Sequence, residues 1–167
     1  YIVVFTPVFL AMLGAVGWAT IKDIEIPWGM FGYYTALLAV MAMCFLGIGM
    51  LISAVARSTD IAQGAAFMVW LTLLLFLDLI LLGVMIQGKV APEVAVGVAL
   101  VNPLQVFRTA ALALFDPQLI VLGPSAYVIL DTFGLVGYKV FALVYPAALG
   151  LLSATIGYFI FRRGDLP

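Results

Sequence analysis

Long runs without charge decide what this chain can fold into. Residues 1–21 and 29–56 carry no charged side chain, and 61–86 carry only Asp78. A helix needs about 20 apolar residues to cross the hydrocarbon core of a bilayer, so each run reads as a span. A fourth, 138–161, stops at Arg162-Arg163. The composition agrees: of 167 residues, 66% are apolar and 9% charged, against roughly 45–50% and 25% in soluble domains. That is too little charge to solvate a water-facing surface, and a soluble globular domain is excluded. Seven basic against eight acidic residues, with no basic run, argue against nucleic-acid binding. A single cysteine and no histidine exclude a disulfide framework, His-based metal sites and Ser-His or Cys-His nucleophile pairs. The fold class is therefore an all-α polytopic membrane protein.

The boundaries carry interfacial residues. Trp18 lies near the end of the first run, the polar patch Lys22-Asp23-Ile24-Glu25-Ile26-Pro27 follows, and Trp28 precedes the second. Arg57-Ser58-Thr59-Asp60 makes a tight polar turn before the third. Residues 87–137 are apolar but broken by Pro92, Asn102-Pro103, Asp116-Pro117 and Gly123-Pro124. Asn or Asp before proline starts a helix, because the side chain caps and proline at the first position loses no needed donor. Short external or re-entrant helices are expected from near Pro92, Pro103, Pro117 and Ser125. In the second of these, Leu104, Phe107, Ala111 and Leu114 share one face and Gln105, Arg108 and Thr109 the other, a pattern suited to the membrane surface.

One membrane domain, 1–167, is thus expected, with spans at about 1–21, 29–56, 61–86 and 138–161 and an external broken-helix segment at 87–137. Tyr1 already lies in an apolar run with no signal-peptide features around it. The chain therefore reads as the C-terminal part of a longer protein whose N-terminal spans are missing. Lys and Arg are denser at 57–60 and 162–167 than at 22–28 and 88–139, which places the C-terminus in the cytoplasm and 88–137 on the opposite side.

Asp78 is the sharpest functional signal. An ionisable group well inside a span costs a few kcal/mol unless it pairs or meets water. Its helical neighbours Leu71, Leu74, Leu81, Leu82 and Met85 cannot satisfy it, so a pathway or gate at Asp78 and Met85 is weighed against a structural hydrogen bond. Met41 and Cys44, three residues apart, are weak candidates for a soft-metal site, and packing is the better reading. Ala147, Gly150, Ala154 and Gly157 form a small-residue stripe on the last span, and Gly49 and Ser53 do so on the second; such stripes let helices approach closely in lipid. Pro146 should kink the last span. No Gly-x-x-x-x-Gly-Lys loop occurs, so any ATP chemistry belongs to another subunit.

Uncharged spans, a short Arg-containing turn and broken helices opened by Asn-Pro before a last span resemble the ABC-2 type permeases. The stretch from Val101-Asn102-Pro103-Leu104-Gln105-Val106-Phe107-Arg108 to Asp116-Pro117, and on to 134, resembles more closely the permeases of the nitrous oxide reductase maturation system, which helps build a copper–sulfide site. The resemblance implies the C-terminal part of a six-helix, type V exporter-like permease, with no catalytic residue and no cofactor of its own. It further implies a homodimer in a bacterial inner membrane, docked on cytoplasmic ABC ATPase subunits that bind ATP and magnesium. Arg57 and Asp60 would lie on the ATPase side. A periplasmic accessory protein would rest on the external helices, at Asn102, Pro103 and Arg108. Copper or a sulfur species is the implied cargo or context. A proton-coupled secondary transporter or channel subunit built on Asp78, and a structural assembly subunit, are the competing readings.

Overall fold

The computed structural model describes residues 2–76, 92–116 and 124–163. Among the described residues the elements are all helical: α1 (Ile2–Ile21), α2 (Trp28–Val55), α3 (Thr59–Leu71) running into a π-helical turn at Thr72–Phe76, α4 (Pro92–Val101), α5 (Pro103–Phe115) and α6 (Pro124–Arg163). Three segments are long and apolar enough to cross a membrane: α1, α2 and Ile129–Arg163 of α6. The expected third span is described only in its first half, as α3 and the π turn; Asp78 and Met85 lie outside the described residues, as does the helix start expected at Pro117.

Helix α1 has 20 residues and none of them is buried, a length of about 30 Å that matches the hydrocarbon core. Most of its apolar side chains face outward, as lipid requires, and one side touches α2, where the Met12 thioether accepts from the Thr35 hydroxyl at 3.4 Å. The helix stops at Asp23, whose φ of 52° puts it in the left-handed region. There the Ile24 amide donates to the Ala19 carbonyl at 3.0 Å and the Asp23 amide to Thr20 at 3.3 Å, closing the carbonyls that a helix end leaves open. Lys22 then lies over the Trp18 ring, 5.3 Å from its centroid, at the level where indole and ammonium both reach the interface.

The main packing is α2 against α6. On α2 the buried residues Leu37, Met41, Cys44 and Gly47 recur at three- and four-residue steps and form one stripe. Facing them on α6 are buried Ala142, Pro146, Gly150, Ser153 and Gly157. A Cβ on Gly150 would sit 2.7 Å from the Cys44 Cα, one on Gly157 would sit 3.1 Å from the Leu51 Cα, and one on Gly47 would collide with the Gly150 carbonyl. Backbone touches backbone. The α6 half of the expected small-residue stripe is present, with Gly150 and Gly157 inside it and Ala147 and Ala154 half-buried beside it. On α2 the contact glycine is Gly47 rather than Gly49, which has open space around its Cα. Two residues along a helix turn the side by about 200°, so Gly49 leaves the seam, while exposed Ser53 lies at its edge in a recess beside Gly157.

Beside this seam α5 and the start of α6 pack on α2, and α4 packs in turn on α5 and α6, giving a core of Leu37, Val106, Ala110, Ile129, Tyr138 and Ala142 among others. The buried side of α5 is Val106, Thr109, Ala110, Ala113 and Leu114. This corrects the face expected from sequence. Thr109, assigned to the polar side, is buried with its hydroxyl against the Tyr138 phenol, while Phe107 and Ala111 are only half-buried. Satisfying the threonine internally lets the helix turn its small residues inward, where helices pack closest.

The last stretch, Pro124–Arg163, is two helices, as expected from a short helix near Ser125 followed by a final span near Tyr138. Its break is at Gly134, with φ 64° and ψ 166°, a region that only glycine adopts without strain. Pro146, expected to kink the helix, keeps helical backbone angles and is fully buried in the seam.

The seam yields a clean comparison. Gly47→Ala should lower stability by at least the 1–3 kcal/mol that overpacking typically costs, roughly, because backbone cannot yield as a side chain does. Gly49→Ala should hold or raise stability, since alanine favours helix by about 1 kcal/mol. Thermal unfolding of the two variants in detergent measures both; equal destabilisation would contradict the seam.

Candidate functional site

Besides the polar patch between α1 and α2, two polar features stand out: the turn between α2 and α3, and the corner where α4 meets α5. The first is local chemistry. Ala56 leaves α2 in extended geometry, and the Ser58 hydroxyl accepts from the Ile61 amide at 3.3 Å, capping α3. Asp60 sits in the first turn of α3, where a carboxylate meets the positive end of the helix dipole. Both Arg57 and Asp60 are exposed, so this end offers a compact charged knob on an apolar bundle.

Asn102 organises the second. It is fully buried, 0% exposed, with backbone in the extended region as an N-cap requires. Its Oδ1 accepts from the Leu104 amide at 3.0 Å, and Pro103 follows at the first helical position. The start of α5 at Asn-Pro is therefore as the sequence indicates. What the sequence does not disclose is the other half of the amide: Nδ2 donates to the Leu73 carbonyl at 2.7 Å, across 29 residues of chain. Leu73 belongs to the π-helical turn, where widened backbone departs from the usual ladder. The Thr72 hydroxyl bonds back to the Met68 carbonyl at 2.8 Å just before it. One side chain thus caps α5 and holds the π turn of α3. Beside it the Tyr145 hydroxyl donates to the Val101 carbonyl at 2.5 Å, fixing the end of α4 to α6.

The remaining expected site residues scatter. Asn102 and Pro103, expected as partner contacts, are buried within the chain, so of the three residues expected at this corner Arg108 is the exposed one. Met41 and Cys44 share the α2 stripe that packs on α6 and fill space there. Arg108 stands at the edge of a groove of about 660 Å³ between α2 and α5. Met30, Phe31 and Tyr34 form one wall and Phe107, Ala111 and Phe115 the other, with the Tyr34 and Phe107 rings 6.1 Å apart. The groove was not foreseen, since it depends on how far α5 rotates against α2. On the same side, Tyr33 donates to the Lys139 carbonyl at 2.9 Å while the Lys139 ammonium lies 5.7 Å from its ring centroid.

A family profile described as "ABC-2 family transporter protein" matches residues 2–166. The chain belongs to the ABC-2 transporter family. It is accordingly a multi-pass membrane protein and a permease-type membrane subunit of an ATP-binding-cassette transporter, of a family whose permeases work with ATPase subunits. No curated protein and no solved structure matches the chain.

The double role of Asn102 can be taken apart by substitution. Asn102→Ser keeps a capping oxygen but cannot reach Leu73; it should cost about 1–3 kcal/mol, the usual penalty of a buried polar group losing its partner. Asn102→Ala should cost about 1 kcal/mol more, the worth of the cap. Hydrogen exchange at residues 72–76 should quicken in both variants. Exchange unchanged from wild type would show that the Leu73 bond does not hold the π turn.

Proposed function

We propose that this chain is the membrane subunit through which a separate cytoplasmic ATPase drives movement, and that the movement serves maturation of the copper–sulfide site of nitrous oxide reductase. Family membership supports the first part. The second rests on the resemblance of segment 101–134 to the permeases of that system. The observation that carries the mechanical reading is the Asn102–Leu73 hydrogen bond.

In this reading the chain supplies four spans of the permease, in a bacterial inner membrane with the C-terminus in the cytoplasm, and two copies form a homodimer. Arg57 and Asp60 lie on the ATPase side. ATP and magnesium are bound and consumed by the ATPase, and this chain has no catalytic residue or cofactor of its own. Helix α3 starts at that turn and has no buried residue over Thr59–Leu71, so little packing resists its displacement. Leu73 lies about 21 Å further along the helix, at 1.5 Å per residue. A push at Asp60 would swing α3 about its pinned π turn and, through Asn102, tilt α5. The outward side of that assembly meets a periplasmic accessory protein, with Arg108 as polar contact. Asp78 and Met85, further along the same span, would line the pathway or gate for a copper or sulfur species.

Affinity purification of the tagged full-length protein from its native membranes, joined to deletion of its gene, tests both parts. A P-loop ATPase should be retained in equal copy number, and reductase from the deletion strain should lack its copper–sulfide absorption. An ATPase retained beside fully loaded reductase would reject the reductase assignment. No ATPase retained would reject the mechanism itself.

A further inference from the structure

We infer that the cleft between the end of α2 and the start of α3 binds one anionic phospholipid of the surrounding bilayer, its phosphate on Arg57 and an acyl chain between the two helices. The inference goes beyond the proposed function and holds whichever system the permease serves.

Depth comes first. Helices α2 and α6 run parallel: Leu37 shares a core with Tyr138 and Ala142, Gly150 meets Cys44, and Gly157 meets Leu51. Carried one to two turns further, the same pairing sets Arg57 level with Arg162 and Arg163. The 28 residues of α2 rise about 42 Å from exposed Trp28, the thickness of a bilayer with both headgroup layers. Both spans therefore reach arginine at one headgroup level. Asp60 is the acid at that level among the described residues, so three positive charges face one negative, a balance that favours an anionic headgroup.

Availability is the second observation. Arg57 is exposed, and among the described residues its guanidinium has no hydrogen bond or ion pair. Its planar fork offers paired donors to two phosphate oxygens and needs no deprotonation to do so. Asp60 is not part of the cleft's lining.

Shape is the third. The cleft holds about 480 Å³, within the range of specific small-ligand sites. Beyond Arg57 its walls are Leu51, Ile52 and Val55 of α2 and Ile61 and Ala65 of α3, all aliphatic. Leu51 lies six residues before Arg57, so the cleft runs about 9 Å inward from the arginine. Such walls match a hydrocarbon chain and would strip a water-soluble ligand of its hydration without replacing it. A protein segment seated here would have to bring its own anion to Arg57, whereas a phospholipid carries phosphate and chain on one molecule. An ATPase docking at this turn would then meet Asp60 and a lipid headgroup, with Arg57 already engaged.

The test uses the purified full-length protein in nanodiscs of mixed phosphatidylglycerol and phosphatidylethanolamine, released into native mass spectrometry. Wild-type protein should retain one phosphatidylglycerol in preference to phosphatidylethanolamine. Arg57→Gln should lose that preference by roughly fivefold, the value of one basic residue at an anionic surface. Arg162→Gln, at the same level but outside the lining, should keep it near wild type. Ala65→Phe, which fills the cleft from its α3 wall, should abolish retention of both lipids. Equal retention of phosphatidylglycerol by wild type and Arg57→Gln would overturn the headgroup assignment. Equal losses in Arg57→Gln and Arg162→Gln would reveal diffuse attraction to that end of the bundle, and no site. Retention surviving Ala65→Phe would overturn the cleft as the place of binding. In native membranes, efficient cross-linking of Ala65→Cys to its counterpart in a second copy, on a Cys44→Ser background, would show that protein fills the cleft and would also overturn the inference.

Discussion

Direct backbone contact between α2 and α6 is the constraint on which the rest of the molecule depends. In lipid, apolar side chains gain nothing by leaving one apolar surface for another, so helices associate through close van der Waals contact and hydrogen bonds. Gly47, Gly150 and Gly157 let two helices meet with no side chain between them, and many weak dispersion contacts then add along the seam. The larger residues of the same stripes, Leu37 and Tyr138, lie toward the end of the seam where α5 packs on both helices. Small residues at one end and large ones at the other set the shape of the bundle. Helix α5 can nest there because its own buried side is built from Ala110, Ala113 and a satisfied Thr109.

Against that fixed pair, α3 is attached differently. It buries no residue along its regular length, and it is joined to α2 by the short turn at 56–58. Just beyond that length a side-chain amide, Asn102, reaches the carbonyl of Leu73. A helix held at one end by a capped turn and further along by one hydrogen bond at a π-helical break is suited to pivoting. The same amide sets where α5 begins, so motion of α3 and the tilt of α5 share one atom group. In the proposed reading, that is a short mechanical path from the charged turn at Arg57 and Asp60 to the groove-bearing helix.

Much of this was legible in the sequence because lipid leaves few choices. Charge-free runs located α1 and α2 to within a residue or two, and Asn102-Pro103 located the start of α5, because capping is decided by neighbouring residues. Rotation about helix axes was not legible. Gly47 and Gly49 are equal as letters, and only the position of α6 selects Gly47. Thr109 looks polar until Tyr138, 29 residues away, is brought to meet it. The bond from Asn102 to Leu73 is likewise non-local. Gly134 lies in the stretch read as external, and its positive φ sets the break between the short helix and the final span, a boundary the sequence alone places only approximately.

The central claim is that α3 moves about Asn102 while α2 and α6 stay together when the ATPase binds nucleotide. Spin labels on a Cys44→Ser background, in the full complex in nanodiscs, measure this directly by pulsed electron resonance. One pair, at Gln63 on α3 and Leu152 on α6, reports the pivot; a second, at Met30 and Leu152, reports the seam. The account predicts that the Gln63–Leu152 distance shifts between the nucleotide-free complex and one trapped with ATP, and that the Met30–Leu152 distance does not. A Gln63–Leu152 distance indifferent to ATP, or a seam that separates on ATP binding, would contradict it.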